Sequence, residues 1–179
     1  MKTLLLWALV GLIGVGLVHG ASLLILPLIA DATAYDRLAD AGDDGAFHIL
    51  PGPGPDESLL PFEDPQFVVA ACRYDLENGA LRVQAPLPPS YGIVAFYTRF
   101  GQIYYSLTDR AAPTGSVDVV ALAQTDIGAT GIAASDALRI VSPTRFGFVL
   151  LRLYVPNRGM LPAIRALAQT ARCEALPRP

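Results

Sequence analysis

Lysine occurs once in the 179 residues, at position 2, histidine twice, and charged side chains make up only 16% of the chain. The formal net charge is −3, the sequence pI is near 5.2, and no basic tract occurs. A nucleic-acid binder needs a concentrated basic face to contact phosphates, so that class is excluded. Beyond the apolar amino-terminal run the one histidine is His48, in a Pro-flanked stretch. A Ser-His-Asp constellation has no other base to draw on, and no His/Cys/carboxylate cluster has metal-ligand spacing. No Gly-x-Ser-x-Gly elbow, phosphate-cradling glycine loop or repeat occurs either. No metal or other cofactor is expected.

What the chain has in excess is apolar side chain: 53% of residues, with mean hydropathy +0.43. Much of it sits between Lys2 and Asp31, where no residue is formally charged. About 20 apolar residues cross the hydrocarbon core as a helix, so residues 1–30 read as a transmembrane anchor. Lys2 precedes it and Asp31, Asp36, Asp40, Asp43 and Asp44 come after it, which places the amino terminus in the cytoplasm and the rest outside. A cleaved signal peptide competes, with Val18-His19-Gly20 as its cleavage site. Either way the remainder is exported. Gly16 and Gly20 lie one turn apart with His19 beside them, a pattern that permits close approach of another helix.

Two cysteines, Cys72 and Cys173, suit a disulfide on the oxidising side of a membrane, with two separate buried thiols as the alternative. The bond would close a loop worth roughly 4.7 kcal/mol in the chain-entropy model.

Residues 31–65 read as a short helix and a Pro-rich linker. Thr33-Ala-Tyr-Asp36 fits a capping box, Gly42 ends the helix at about 41, and five prolines lie between 51 and 65, with one short strand at Phe47 to Leu50. Residues 66–179 read as a mainly β domain. Strands are expected at Phe67 to Asp75, Ala80 to Ala85, Tyr91 to Arg99, Ile103 to Asp109, Val117 to Ala123, Leu138 to Ser142 and Phe146 to Val155. Asn78-Gly79 between the first two marks a hairpin, and Phe100-Gly101-Gln102 marks a second. The expectation is an antiparallel β-sandwich or jelly-roll-like domain, closed by a packing helix over Gly159 to Cys173. In that reading Cys173, at the end of the helix, clips it to the first strand.

The densest polar and aromatic group is Arg73-Tyr74-Asp75, Tyr91, Tyr97, Tyr104-Tyr105 and Asp109-Arg110. From it Tyr91, Tyr105, Asp109 and Arg110 are taken as a ligand-binding rim, on which hydroxyls and an Arg/Asp pair would orient a small polar molecule. Packing of the rings with hydroxyls bonded at the rim is the plainer reading of the tyrosines. No catalytic residue is assigned.

Several of these stretches together resemble one family. They are Val18-His19-Gly20 with Pro27, Asp31-Ala-Thr-Ala-Tyr-Asp-Arg-Leu38, Asp64-Pro65, Cys72-Arg-Tyr-Asp-Leu76, Val83-Gln-Ala-Pro-Leu87, Tyr97 to Gly101, and Tyr105-Ser-Leu-Thr-Asp-Arg-Ala-Ala112. The chain resembles the short, membrane-anchored bacterial members of the domain-of-unknown-function 1254 family. The resemblance implies a β-rich domain, an envelope location and the company of a sister anchored domain. It brings no catalytic residues. The expectation for function is an inner-membrane-anchored periplasmic module that binds a partner protein, itself another membrane-anchored envelope protein, or an envelope ligand. The alternative is a hydrolase or lyase acting on an envelope glycan or lipid.

Overall fold

The computed structural model describes residues 2–29, 33–52, 59–60, 64–77, 79–127 and 137–177. They form two units, Met1–Ala32 and Thr33–Pro179, each considered by itself. The first is helix α1, Lys2–Ile29. Its stretch Lys2–Leu26 is long and apolar enough to cross a membrane by length and composition, a property that an anchor and a signal sequence share. Ser22, a hydroxyl residue well inside it, donates to the Val18 carbonyl at 2.8 Å, which satisfies the group inside the helix. A Cβ added at Gly16 or Gly20 would meet open space, and His19 is exposed.

The second unit opens with the expected capping box. Asp36 donates its N–H to Thr33 Oγ1 at 3.3 Å while its carboxylate accepts the Thr33 N–H at 3.0 Å, which starts α2 (Ala34–Arg37). A turn of 3-10 helix continues to Ala41, and Gly42 ends it at φ +146°. The His48 ring lies where a Cβ of residue 42 would be, so both the backbone and the space require glycine.

The described residues then form nine strands: β1 (His48–Ile49), β2 (Phe67–Asp75), β3 (Gly79–Pro86), β4 (Gly92–Thr98), β5 (Ile103–Thr108), β6 (Ser116–Ala123), β7 (Leu138–Ser142), β8 (Phe146–Tyr154) and β9 (Arg172–Pro177). They make two packed sheets, ordered β1-β2-β8-β4-β5 and β7-β6-β3-β9. The architecture is a mostly antiparallel β-sandwich. Helix α3 (Leu161–Gln169), with Pro162 in its first turn, buries Ile164 and Ala168 against the core.

Period-two alternation builds that core. Val68, Ala70, Cys72 and Tyr74 of β2 and Val149, Leu151 and Leu153 of β8 face Leu81, Val83 and Ala85 of β3 and Val117, Val119 and Ala121 of β6. The intervening residues Val69, Ala71, Phe148 and Leu150 point to the opposite face of the five-stranded sheet, where Tyr35, Leu38, Leu50 and Leu60 cover them. The stretch read as helix and linker is therefore partly a layer of the fold. It is tied down by Gly45 N–H to Arg73 O at 2.8 Å and Leu50 N–H to Val69 O at 2.9 Å.

Three expectations are corrected. The Asn78-Gly79 pair, of which Asn78 lies outside the described residues, does not close a hairpin: β2 pairs with β1 and β8, and β3 pairs with β6 and β9 in the other sheet. The physical reason is that β2 is apolar on both faces and needs cover on each. The chain therefore crosses to the second sheet, and Leu76, just past β2, is buried in the core. The carboxy-terminal helix ends at Gln169, where both the N–H and the hydroxyl of Thr170 bond to the Leu167 carbonyl. The next element is β9, which pairs with β3, so Cys173 lies on a strand and not at a helix end. The β6 and β7 strands run parallel, and the Gly-rich stretch between them, 128–136, lies outside the described residues. The second expected hairpin is present as β4–β5, turning through Gly101 at φ +80°.

Candidate functional site

Tyr91 stands just before β4 at φ +147°, an uncommon setting for a residue with a side chain. Its carbonyl accepts the Tyr154 N–H at 3.1 Å, and its ring meets Phe67 edge-on at 6.1 Å. Tyr105 lies mid-way along β5 with its ring 6.3 Å from Phe96. Asp109 and Arg110 form the 3-10 turn that ends β5. Thr108 is paired with Ile93, so this turn and Tyr91 lie toward one end of the β4–β5 ladder while Tyr105 is paired with Phe96 further along. Among the described residues no hydrogen bond, ion pair or ring contact joins any two of the four. His48 donates from Nε2 to the Asp43 carbonyl at 3.0 Å, a local structural bond.

The polar residues that do converge lie at the other end of β4 and β5. Tyr74, on the inner face of β2, is fully buried, and its hydroxyl meets Tyr104 Oη at 2.9 Å, Ser142 Oγ at 3.2 Å and the Tyr97 carbonyl at 3.3 Å. Ser142 in turn donates to the Thr144 carbonyl at 2.7 Å. Gly147 makes room for this group, because a Cβ there would overlap the Tyr74 hydroxyl and the Tyr97 carbonyl. Burial pushes the Tyr74 and Tyr104 phenols above their ordinary range.

Beside this network β2 ends at Asp75, whose carboxylate accepts both Arg145 Nε at 2.7 Å and Arg145 Nη2 at 2.8 Å. Glu77 bonds the same Nη2, and the guanidinium lies 4.6 Å over the Phe146 ring. The Arg145 fork holds the Asp75 carboxyl below the usual carboxylate range. An open depression of about 380 Å³ is lined here by Leu76, Glu77, Gln124, Thr125, Thr144 and Arg145 among others. It offers hydrogen-bonding groups over an apolar floor. The groups of this region whose titration is displaced, Tyr74, Tyr104 and Arg145 upward and Asp75 downward, are all moved away from neutrality.

Tyr74, Asp75 and Tyr104 belonged to the polar-aromatic group legible in the sequence. Ser142, Thr144 and Arg145 did not, and the only local signal for them is a Ser-Pro-Thr turn before β8. On the outer face of the second sheet Asp118 accepts Arg82 Nε at 3.0 Å and Gln84 Nε2 at 3.0 Å, a cross-strand polar ladder. Among the described residues no group of three or more His, Cys, Asp or Glu side chains is placed to hold a metal.

The family model described as "Protein of unknown function (DUF1254)" matches residues 46–175. The chain belongs to the DUF1254 family. The matched span begins at the approach to β1 and runs into β9, so it takes in both sheets and α3. No curated protein matches the chain. Among solved structures, the fold is similar to the VPA0106 protein from Vibrio parahaemolyticus at TM-score 0.63 and 13% identity, covering 80% of this chain and 34% of that one. An uncharacterized protein from Burkholderia cenocepacia aligns at TM-score 0.48 and 14% identity, covering 80% of this chain and 38% of that one. The chain matches about a third of the length of these structural relatives. At such identity the likeness to VPA0106 shows the fold alone.

Proposed function

We propose that this DUF1254 chain is a module of the bacterial envelope, anchored by α1 in the inner membrane with its amino terminus cytoplasmic and its sandwich periplasmic. In this reading it works by holding a second membrane-anchored protein. The observation that carries the reading is α1, whose stretch Lys2–Leu26 is long and apolar enough to cross a membrane and so to hold the sandwich beside other membrane-anchored proteins. The Cys72–Cys173 bond supports the oxidising side. The engagement of Asp75 and Glu77 by Arg145 supports a structural use of those charges.

The test is purification of the full-length chain from its own membrane in mild detergent. A second protein in stoichiometric amount that rebinds the chain after both are purified supports the reading. A chain that stays alone at every step overturns it. Intact-mass measurement of the membrane fraction reads the anchor directly: a chain beginning at Met1 is expected, and one beginning near Ala21 refutes the anchoring.

A further inference from the structure

Among the described residues the sandwich has four edge strands, β1 and β5 in one sheet and β7 and β9 in the other. Exposed edges present unpaired main-chain groups, and folds protect them with short length, charge or proline. Three of the four are protected in this way. β1 is two residues long, β7 carries Arg139, and β9 carries Arg172, Glu174 and Pro177. β5, Ile103-Tyr-Tyr-Ser-Leu-Thr108, has six residues and neither a charge nor a proline. Its one irregularity is a bulge, since Phe96 pairs with Tyr105 and Tyr97 with Ile103, which leaves Tyr104 as the extra residue. That bulge turns Tyr104 toward the Tyr74 hydroxyl and leaves Tyr105 to Thr108 regular. Among the described residues no main-chain bond beyond the β4 ladder involves β5. Its first residue, Ile103, is 59% exposed, and Phe100 in the turn before it is 69% exposed.

We infer that β5 is the self-association edge of this protein, pairing antiparallel with β5 of a second copy. Two features select a second copy as the occupant. An uncharged strand is complementary to itself, because a two-fold axis through its middle sets Tyr, Ser, Leu and Thr against one another with no like charges opposed. Antiparallel pairing also brings Asp109 and Arg110 of one copy, a neutral pair, to the uncharged Phe100-Gly101-Gln102 turn of the other, where the exposed apolar side chains lie. A contact confined to one short strand and its flanking turn falls well below the roughly 1,200 Å² of a standard interface. The pairing is therefore weak in dilute solution. It depends on copies concentrated and equally oriented in one membrane, where effective concentration replaces area. The inference rests on the anchoring proposed above but not on the partner, and its test reads a different species.

Ser106 is exposed and lies beside the two-fold in any register that pairs the middle of the strand. In the full-length chain in native membranes, Ser106→Cys treated with a short thiol cross-linker is expected to give about tenfold more covalent dimer of the chain than Glu174→Cys on the β9 edge. Equal yields from the two, no dimer from Ser106→Cys, or cross-linking of Ser106→Cys to another protein alone each overturn the inference. Charge variants give a second readout. Ser106→Lys and Ser106→Glu, each alone, are expected to self-associate about threefold to tenfold more weakly than the wild type, and their equal mixture to recover the wild-type level. Loss in each variant without recovery in the mixture overturns the pairing of like strands, and unchanged association in each overturns the edge.

Discussion

Cys72 of β2 and Cys173 of β9 are bonded through the interior of the sandwich, one residue from each sheet, with Cα atoms 6.5 Å apart. Both side chains are buried among the apolar residues of the core. The bond therefore pins sheet to sheet, and it closes a loop of 101 residues that spans eight of the nine described strands, counting β2 and β9 as its ends.

Replacement of both cysteines by alanine is expected to lower stability by about 4 kcal/mol, the scale for closing a loop of that length. Urea denaturation of the two forms measures it. The expected loss is a shift of one cooperative transition, since β9 belongs to the sheet. Early melting confined to α3, with the sheets unaffected, contradicts the placement of the bond.

Tyr74→Phe removes a hydroxyl with three partners and leaves Tyr104 Oη and Ser142 Oγ short of one in a buried setting. The expected cost is about 2 kcal/mol. Tyr104→Phe, which removes one bond at the margin of the same network, is expected to cost less. Equal and negligible costs for both would show that the network contributes nothing.

The same phenol sets an alkaline limit. Its folded-state pKa is raised by burial, so its contribution is complete below the unfolded value of about 10 and is lost as pH rises beyond it. On the acid side the carboxyls of Asp75, held down by Arg145, and Asp118, held down by Arg82, behave in the opposite sense. Their contribution is present above about pH 3.9 and is lost as pH falls through the lower folded value. Thermal midpoints across pH should show both limbs. Tyr74→Phe should flatten the alkaline one, and Asp75→Asn with Asp118→Asn the acid one.

Gly147→Ala places a methyl group on the Tyr74 hydroxyl and on the Tyr97 carbonyl. The hydroxyl belongs to a side chain but the carbonyl to the β4 ladder, so relief by side-chain movement is incomplete. A loss of about 3 kcal/mol is expected, at the upper end of overpacking effects. Tyr74→Phe in the same chain should not restore it. Recovery in the double variant would show that only the hydroxyl obstructs.

Local signals were legible and long-range ones were not. The Thr33–Asp36 cap, the bounds of β2, the β4–β5 hairpin and the limits of β8 each depend on residues close in sequence. The Asn78-Gly79 turn chemistry was also legible, but which strand lies beside β2 is decided by the need to cover both of its apolar faces. Nothing near residue 78 records that. β9 escaped because the apolar spacing of α3 continues through Ala171, while the pairing that makes a strand of Arg172–Pro177 comes from β3, about 90 residues earlier. The polar convergence at Tyr74 draws on positions 74, 104 and 142, from three strands, and Arg145 reaches Asp75 across 70 residues. Of the four residues singled out as a rim, Asp109 and Arg110 are chain neighbours, and among the described residues no hydrogen bond, ion pair or ring contact ties them to Tyr91 or Tyr105.

The five-stranded sheet is covered on both faces, by the second sheet on one side and by Tyr35, Leu38, Leu50 and Leu60 on the other. The span that defines the family starts at residue 46, after two of those four. A chain trimmed to that start would leave Phe148, Leu150, Val69 and Ala71 partly open to water while keeping every strand. Such a trimmed form should be sticky and poorly soluble although correctly paired, and proteolysis that cuts between Gly42 and His48 should have the same result. Solubility of this sandwich is thus set by a segment that belongs to neither sheet.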